Sequence, residues 1–302
     1  MAAARDRRDA VEDPAASVLY LIAPADKDDA ESNKLNLEGA FEWSATDIIT
    51  WIQAVISNVD GHRKAKLTEM AKLLVDLCFF KDGNVYVVGE EFDKYLPAHH
   101  IARTRENKEA NREKPEQWYY TLAPLDFFDI SLFSPYDVLG YLLATLGKEP
   151  PNANKQSFYL PLTAMYAKWC STLCGRDEAT PASTWKEQEY RPGKRPTVYQ
   201  CTWVGADHNE DLEPLEEGDE EGDEEWEAPR FALGAAFAGC DFLEGDEDYD
   251  VRNSWRVRII EKRKELLQGI GALPADEKLK QPFSNSPWGH CAETYALLAM
   301  LK

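Results

Sequence analysis

The chain has 302 residues, 44% of them hydrophobic, enough for one large domain or two ordinary ones with a sizeable core. No apolar run approaches the roughly 20 residues of a membrane-spanning helix, and MAAARDRRDAVEDPAAS has no apolar stretch behind its basic residues, against a secretory signal. The formal net charge of −20 is concentrated: residues 210–250 carry 18 acids against one base, Arg230, which leaves a net −3 on the other 261 residues.

Residues 1–16 read as a flexible tail. The apolar run SVLYLIAP (17–24) reads as a strand. Ser44 opens a helix with Asp47 three residues on, where a carboxylate favours a helix start. Ile48, Trp51, Ile52, Val55, Ile56 and Val59 give that helix one apolar face. A second helix is expected over Lys64–Cys78, with Leu67, Met70, Leu73, Leu74 and Leu77 inward. FFKDGNVYVV suggests a hairpin about Asp82-Gly83, and HHIARTRENKEANREKPEQ a solvated helix or exposed loop. WYYTLAPLDFFDISLF is aromatic enough to be buried. Ser134-Pro135 starts a strong helix, since proline suits the first helical position, with Val138, Leu139, Leu142 and Leu143 on its core face. A further helix, LPLTAMYAKWCSTLCG, ends at Gly175, and TVYQCTWVGA alternates as a strand does.

Beyond the strand lies an acidic stretch with 12 acids and no base from Glu210 to Glu227. It holds too few apolar groups to offset the entropy of ordering it, so residues 206–229 are expected to form a low-complexity loop. PRFALGAAFAGCDFL reads as a buried helix or tight strand. YDVRNSWRVRIIEKRKELLQGIGAL reads as an amphipathic helix with its basic residues on one side and a Gly-Ile-Gly stop. The element mix predicts an α+β fold, predominantly helical with a few short strands and no doubly wound sheet. The organisation expected is a tail over 1–16, a helical body over 17–205, the acidic loop over 206–229 and a C-terminal helical segment over 230–302.

The last stretch, SPWGHCAETYALLAMLK, carries the chemistry-bearing pattern. A thiolate at a helix N-terminus is stabilised by the helix dipole, and a glutamate two residues on can reach a metal-bound water without ligating the metal. WGHCAETYALLAML (288–301) resembles the first zinc motif of cytidine-deaminase-like deaminases, in the Cys-Ala-Glu form of toxin-type and fungal domains. The resemblance implies that Cys291 is a zinc ligand and Glu293 the proton shuttle. No Pro-Cys-x-x-Cys follows in the sequence. The candidates to complete a metal site are Cys170 and Cys174, one helical turn apart in WCSTLCG, together with His290. Against this stands an ordinary helix with Cys291, Tyr295, Leu298 and Leu301 inward and no cofactor.

Elsewhere the signals are weak. His99-His100 reads as exposed, His208 as part of a solvated charge run. The basic stretches RTRENKEANREK and RVRIIEKRKE interleave acids with bases, and the acidic loop repels a polynucleotide backbone, so nucleic acid is not expected as a partner. The six dispersed cysteines fit an intracellular setting, cytoplasm or nucleus. Two functions stay open. The first is a non-catalytic interaction or scaffold protein that meets a partner, a basic protein for example, through the acidic loop. The second is a zinc-dependent deaminase of a nucleoside or nucleotide base, truncated or with a non-standard metal site.

Overall fold

Helix starts along this chain are written in capping residues. Asn36 accepts the Gly39 N–H at 2.9 Å and opens the short α1 (Leu37–Phe41). Ser44 and Asp47 form a capping box at α2 (Ala45–Ser57): each accepts the other's backbone N–H, at 3.2 and 3.0 Å. The Ser44 hydroxyl, donating to Asp47 Oδ2 at 2.6 Å, and then the Ser44 N–H hold the Asp47 carboxyl below its usual range. α3 runs over Gly61–Cys78, its first residue at φ +66, a conformation that glycine adopts without strain. Ser134 caps α4 (Pro135–Leu146), with proline at the first helical position. α5 covers Leu160–Leu173 and α6 covers Trp255–Gly269.

The computed structural model describes residues 18–21, 34–59, 61–80, 96–97, 103–106, 119–122, 125–127, 130–151, 153–173, 196–204, 230–236, 255–271, 292 and 294. Over these residues the fold is α+β, mostly helical, with short antiparallel strands in small sheets and no doubly wound sheet. β1 (Val18–Leu21) lies between β2 (Lys34–Asn36) and β9 (Gly147–Lys148), with Leu19 opposite Leu35 and Leu21 opposite Gly147. β10 (Tyr199–Trp203) pairs in full with β11 (Phe231–Ala235), from Tyr199↔Ala235 to Trp203↔Phe231. Three further pairs join β3 (Phe79–Phe80) to β4 (Leu96–Pro97), β5 (Arg103–Glu106) to β6 (Tyr119–Leu122), and β7 (Leu125–Phe127) to β8 (Ile130–Leu132).

The core is built around α4. Eleven of its twelve residues are buried, so it has no solvent face. The expected one-sided stripe of Val138, Leu139, Leu142 and Leu143 is buried, but so is the rest, because a helix apolar all round is an interior helix. α3, α5 and β11 pack on α4, and α5 packs in turn on α1, α2 and β10. Gly140 permits the close approach of β11 to α4: a Cβ there would stand 2.6 Å from the Leu233 carbonyl oxygen. Trp169 on α5 stacks on Trp43 at 5.5 Å, meets Trp51 edge-on, and donates its indole N–H to the Ala40 carbonyl at 2.7 Å. On α3, Arg63 Nη2 donates to the Thr145 carbonyl near the end of α4 at 2.7 Å.

Some local expectations change. Arg103–Glu106, within the stretch read as a solvated helix or loop, is a strand; its register with Tyr119–Leu122 is a tertiary pairing that local charge pattern does not reveal. Of the two forms read for the segment after Pro229, a buried helix or a tight strand, Phe231–Ala235 takes the strand, all five residues being buried. On α6 the basic residues do not all face one way: Arg263 is 2% exposed and donates to the Ala235 carbonyl at 3.2 Å. The suggested turn at Asp82-Gly83, the acidic stretch 206–229 and the tail 1–16 lie outside the described residues.

Candidate functional site

Two polar constructions stand out among the described residues, each pairing an acid with an arginine. The first is interior. Asp137 sits in the first turn of α4, where the Ser134 Oγ donates to its Oδ2 at 2.6 Å and its own N–H donates back to that Oγ at 3.2 Å. Arg263 Nη2 lies 4.0 Å from Asp137 Oδ1, and both side chains are almost fully enclosed. Burial pushes the Asp137 carboxyl up, and the Arg263 charge and the Ser134 hydrogen bond pull it back in part. This pair ties α6 to α4 and β11. Nearby, the Tyr166 hydroxyl donates to the Tyr136 carbonyl at 2.9 Å. These groups are packed shut, so their role is architectural.

The second construction is open. Where α4 ends, β9 delivers Lys148, Glu149 follows it, and Pro150-Pro151 turns the chain away. Asn154 then caps a single π-turn, Lys155–Tyr159, its side chain accepting the N–H groups of Gln156 and Ser157 at 2.9 and 3.0 Å. Such turns recur at functional sites because they re-aim side chains. Here the turn sends Phe158 edge-on to Phe231 at 5.9 Å and stacks Tyr159 flat on Trp203 at 4.4 Å. Trp203 and Phe231 are directly opposed across the β10–β11 pair, so one turn docks on one rung of the hairpin.

A cleft of about 170 Å³ opens at that rung, lined by Lys148, Glu149, Pro150, Pro151, Ala153, Tyr159, Trp203, Val204 and Arg230. Arg230 Nε donates to Glu149 Oε1 at 2.8 Å, with the Glu149 side chain 10% and the Arg230 side chain 36% exposed. Glu149 Oε2 is buried and takes no donor among the described residues. Burial, with the Glu149 and Cys201 charges, pushes the Tyr159 hydroxyl up to about 12, and burial pushes the Cys201 thiol to about 12 as well. Both groups therefore keep their protons at neutral pH. The cleft offers an aromatic face, a carboxylate and cations, which is binding chemistry rather than nucleophilic chemistry.

The cleft also marks where the acidic stretch leaves and rejoins the fold. Val204 N–H donates to the Arg230 carbonyl at 3.0 Å, which brings the two ends of the 205–229 connection together.

Of the residues singled out for metal chemistry, Cys170 is described. It is fully buried on α5, in the same core as Tyr166. Cys174, His290, Cys291 and Glu293 lie outside the described residues, while Ala292 and Thr294 are buried. Among the described residues no group of three or more His, Cys, Asp or Glu could hold a metal ion, and no helix is long and apolar enough to cross a membrane. Sequence reasoning missed Glu149, Tyr159 and Trp203. The available signal was thin: a carboxylate before a Pro-Pro stop, and Arg230 as the sole base in an acidic region. Compared with protein-family models, with curated proteins and with solved structures, the chain matches none of them.

Proposed function

We propose that this chain is a non-catalytic interaction protein that meets a basic protein partner through the acidic connection between β10 and β11. The observation that carries this reading is the concentration of charge on one hairpin: 12 acids and no base lie between Glu210 and Glu227. The strands on either side are tied by the Val204–Arg230 hydrogen bond. A dense negative field on one connection steers cations and repels polynucleotides, and its attraction weakens with salt. The test is binding of a fluorescein-labelled lysine- and arginine-rich peptide to the full chain, followed by anisotropy at low and moderate salt. The reading expects salt-sensitive binding that is lost when Glu210–Glu225 is deleted. Equal binding by intact and deleted chains would overturn it.

A second reading, a zinc-dependent deaminase of a nucleoside or nucleotide base, is supported by the likeness of WGHCAETYALLAML to a deaminase zinc motif. In that reading Cys291 binds zinc and Glu293 moves the proton, with His290, Cys170 and Cys174 as the remaining candidate ligands. Metal analysis of the intact chain and of Cys291→Ala decides it. Stoichiometric zinc lost on substitution, with ammonia released from a nucleoside, supports the deaminase; protein purified free of zinc and unable to take it up removes it.

A further inference from the structure

The open cleft contains a buried carboxylate with one engaged oxygen and one without a donor among the described residues. Glu149 Oε1 receives Arg230, while Oε2 is enclosed beside the cleft with no hydrogen bond. A buried carboxylate oxygen left in that state is costly, and an incoming N–H donor removes the cost. Next to it, Trp203 keeps a third of its surface exposed although one ring face is covered by Tyr159. An indole held flat by a stacked phenol attracts cations to its remaining face.

The charges decide between a cationic and an anionic occupant. Arg230 pairs with Glu149, and Lys148 adds a second cation to the lining. Against it stand the 12 acids of the connection tethered at both ends to Val204 and Arg230. The field at this rim therefore favours a cation. We infer that the cleft is a seat for one lysine or arginine side chain of the basic partner. That side chain donates to Glu149 Oε2 and lies over the Trp203 ring, while the acidic connection supplies long-range attraction. This inference rests on the acidic-connection reading and adds to it a defined anchoring position.

The test uses the full chain and the same labelled lysine- and arginine-rich peptide. Trp203→Ala is expected to weaken binding about three- to thirtyfold, and Trp203→Phe by less, since phenylalanine is the poorer cation acceptor. Glu149→Gln keeps an oxygen for Arg230 but removes the charge, and should weaken binding on the order of tenfold. Lys148→Ala should leave binding unchanged or tighter. Thermal unfolding of each variant, expected to match the parent, separates loss of the seat from loss of the fold, and Trp203→Phe keeps the test open if the alanine variant does not fold. Binding that depends on the acidic connection but is indifferent to Trp203 and Glu149 overturns the seat and leaves the partner reading intact. No binding to the parent chain at low salt overturns the partner reading itself. Weaker binding in Lys148→Ala would also overturn the seat, since removing a positive charge from the lining does not loosen a bound cation.

Discussion

The two acid–arginine pairs use the same chemistry in opposite surroundings. Asp137 and Arg263 are 3% and 2% exposed and stand 4.0 Å apart, each with a shorter hydrogen bond elsewhere, to Ser134 and to the Ala235 carbonyl. Glu149 and Arg230 touch at 2.8 Å, yet the arginine is more than a third exposed. Shorter distance does not make the outer pair the stronger support. Solvent screens an exposed pair to a small net contribution, whereas breaking an enclosed pair strands a charge in a medium that cannot solvate it. The inner pair fastens an element to the core, and the outer pair leaves a carboxylate oxygen for something else.

Breaking the inner pair should have the largest effect. Arg263→Met is expected to cost about 3–5 kcal/mol of stability, read by urea unfolding, because Asp137 stays buried without its cation. The pH dependence should change as well. Burial raises Asp137, so the folded chain holds this proton to higher pH than the unfolded chain does. Stability from this group is therefore present at low pH and lost as pH rises through the raised folded-state value. Removing Arg263 removes the pull downward, so the variant should go on losing stability to a higher pH than the parent does. A pH-independent deficit would mean that Asp137 is not the group left behind.

A packing change in the same region gauges how much of that effect is charge. Leu142→Ala, at a position with no exposure on a helix without a solvent face, should cost about 2–5 kcal/mol in the same assay. A cost within about 0.5 kcal/mol would place that residue at the surface. Gly140→Ala should cost somewhat less, about 1–3 kcal/mol, since β11 must retreat from a Cβ that would meet the Leu233 carbonyl at 2.6 Å.

At the outer pair the expected effects are small. Arg230→Gln should change stability by less than about 1 kcal/mol, as screened pairs do, and a loss comparable to that of Arg263→Met would erase the contrast. Smallest of all should be deletion of Glu210–Glu225, which removes acidic residues between two strand ends already joined by a hydrogen bond. Its unfolding midpoint should stay near the parent's. A loss above about 2 kcal/mol would show that the acidic connection supports the fold.

Much of the helical framework was legible locally. Ser44 with Asp47 and Ser134 with Pro135 mark helix starts that the structure places at those residues, because a cap satisfies backbone N–H groups within its own turn. Ile48, Ile52, Val55 and Ile56 follow helical spacing and are buried accordingly. The strand Arg103–Glu106 was not legible, since its partner lies beyond a dozen intervening residues and a strand's stability comes from that partner. The inward Arg263 escaped for a related reason: a basic residue on a basic helix reads as solvated until a carbonyl and a carboxylate from other elements meet it.

What the sequence determined by itself was therefore whatever acts within a few residues: helix caps and stops, apolar periodicity, the concentration of acid between Glu210 and Glu227, and the Cys-Ala-Glu pattern at 291–293. Tertiary structure alone decided what meets across distance. It enclosed α4 on every side, set Asp137 beside Arg263, and brought Glu149, Tyr159, Trp203 and Arg230 from three separate stretches to one cleft. Those four residues share no spacing, because what joins them is the docking of a π-turn on one rung of a hairpin, and the energy of such a contact depends on surfaces that exist only after the chain has folded.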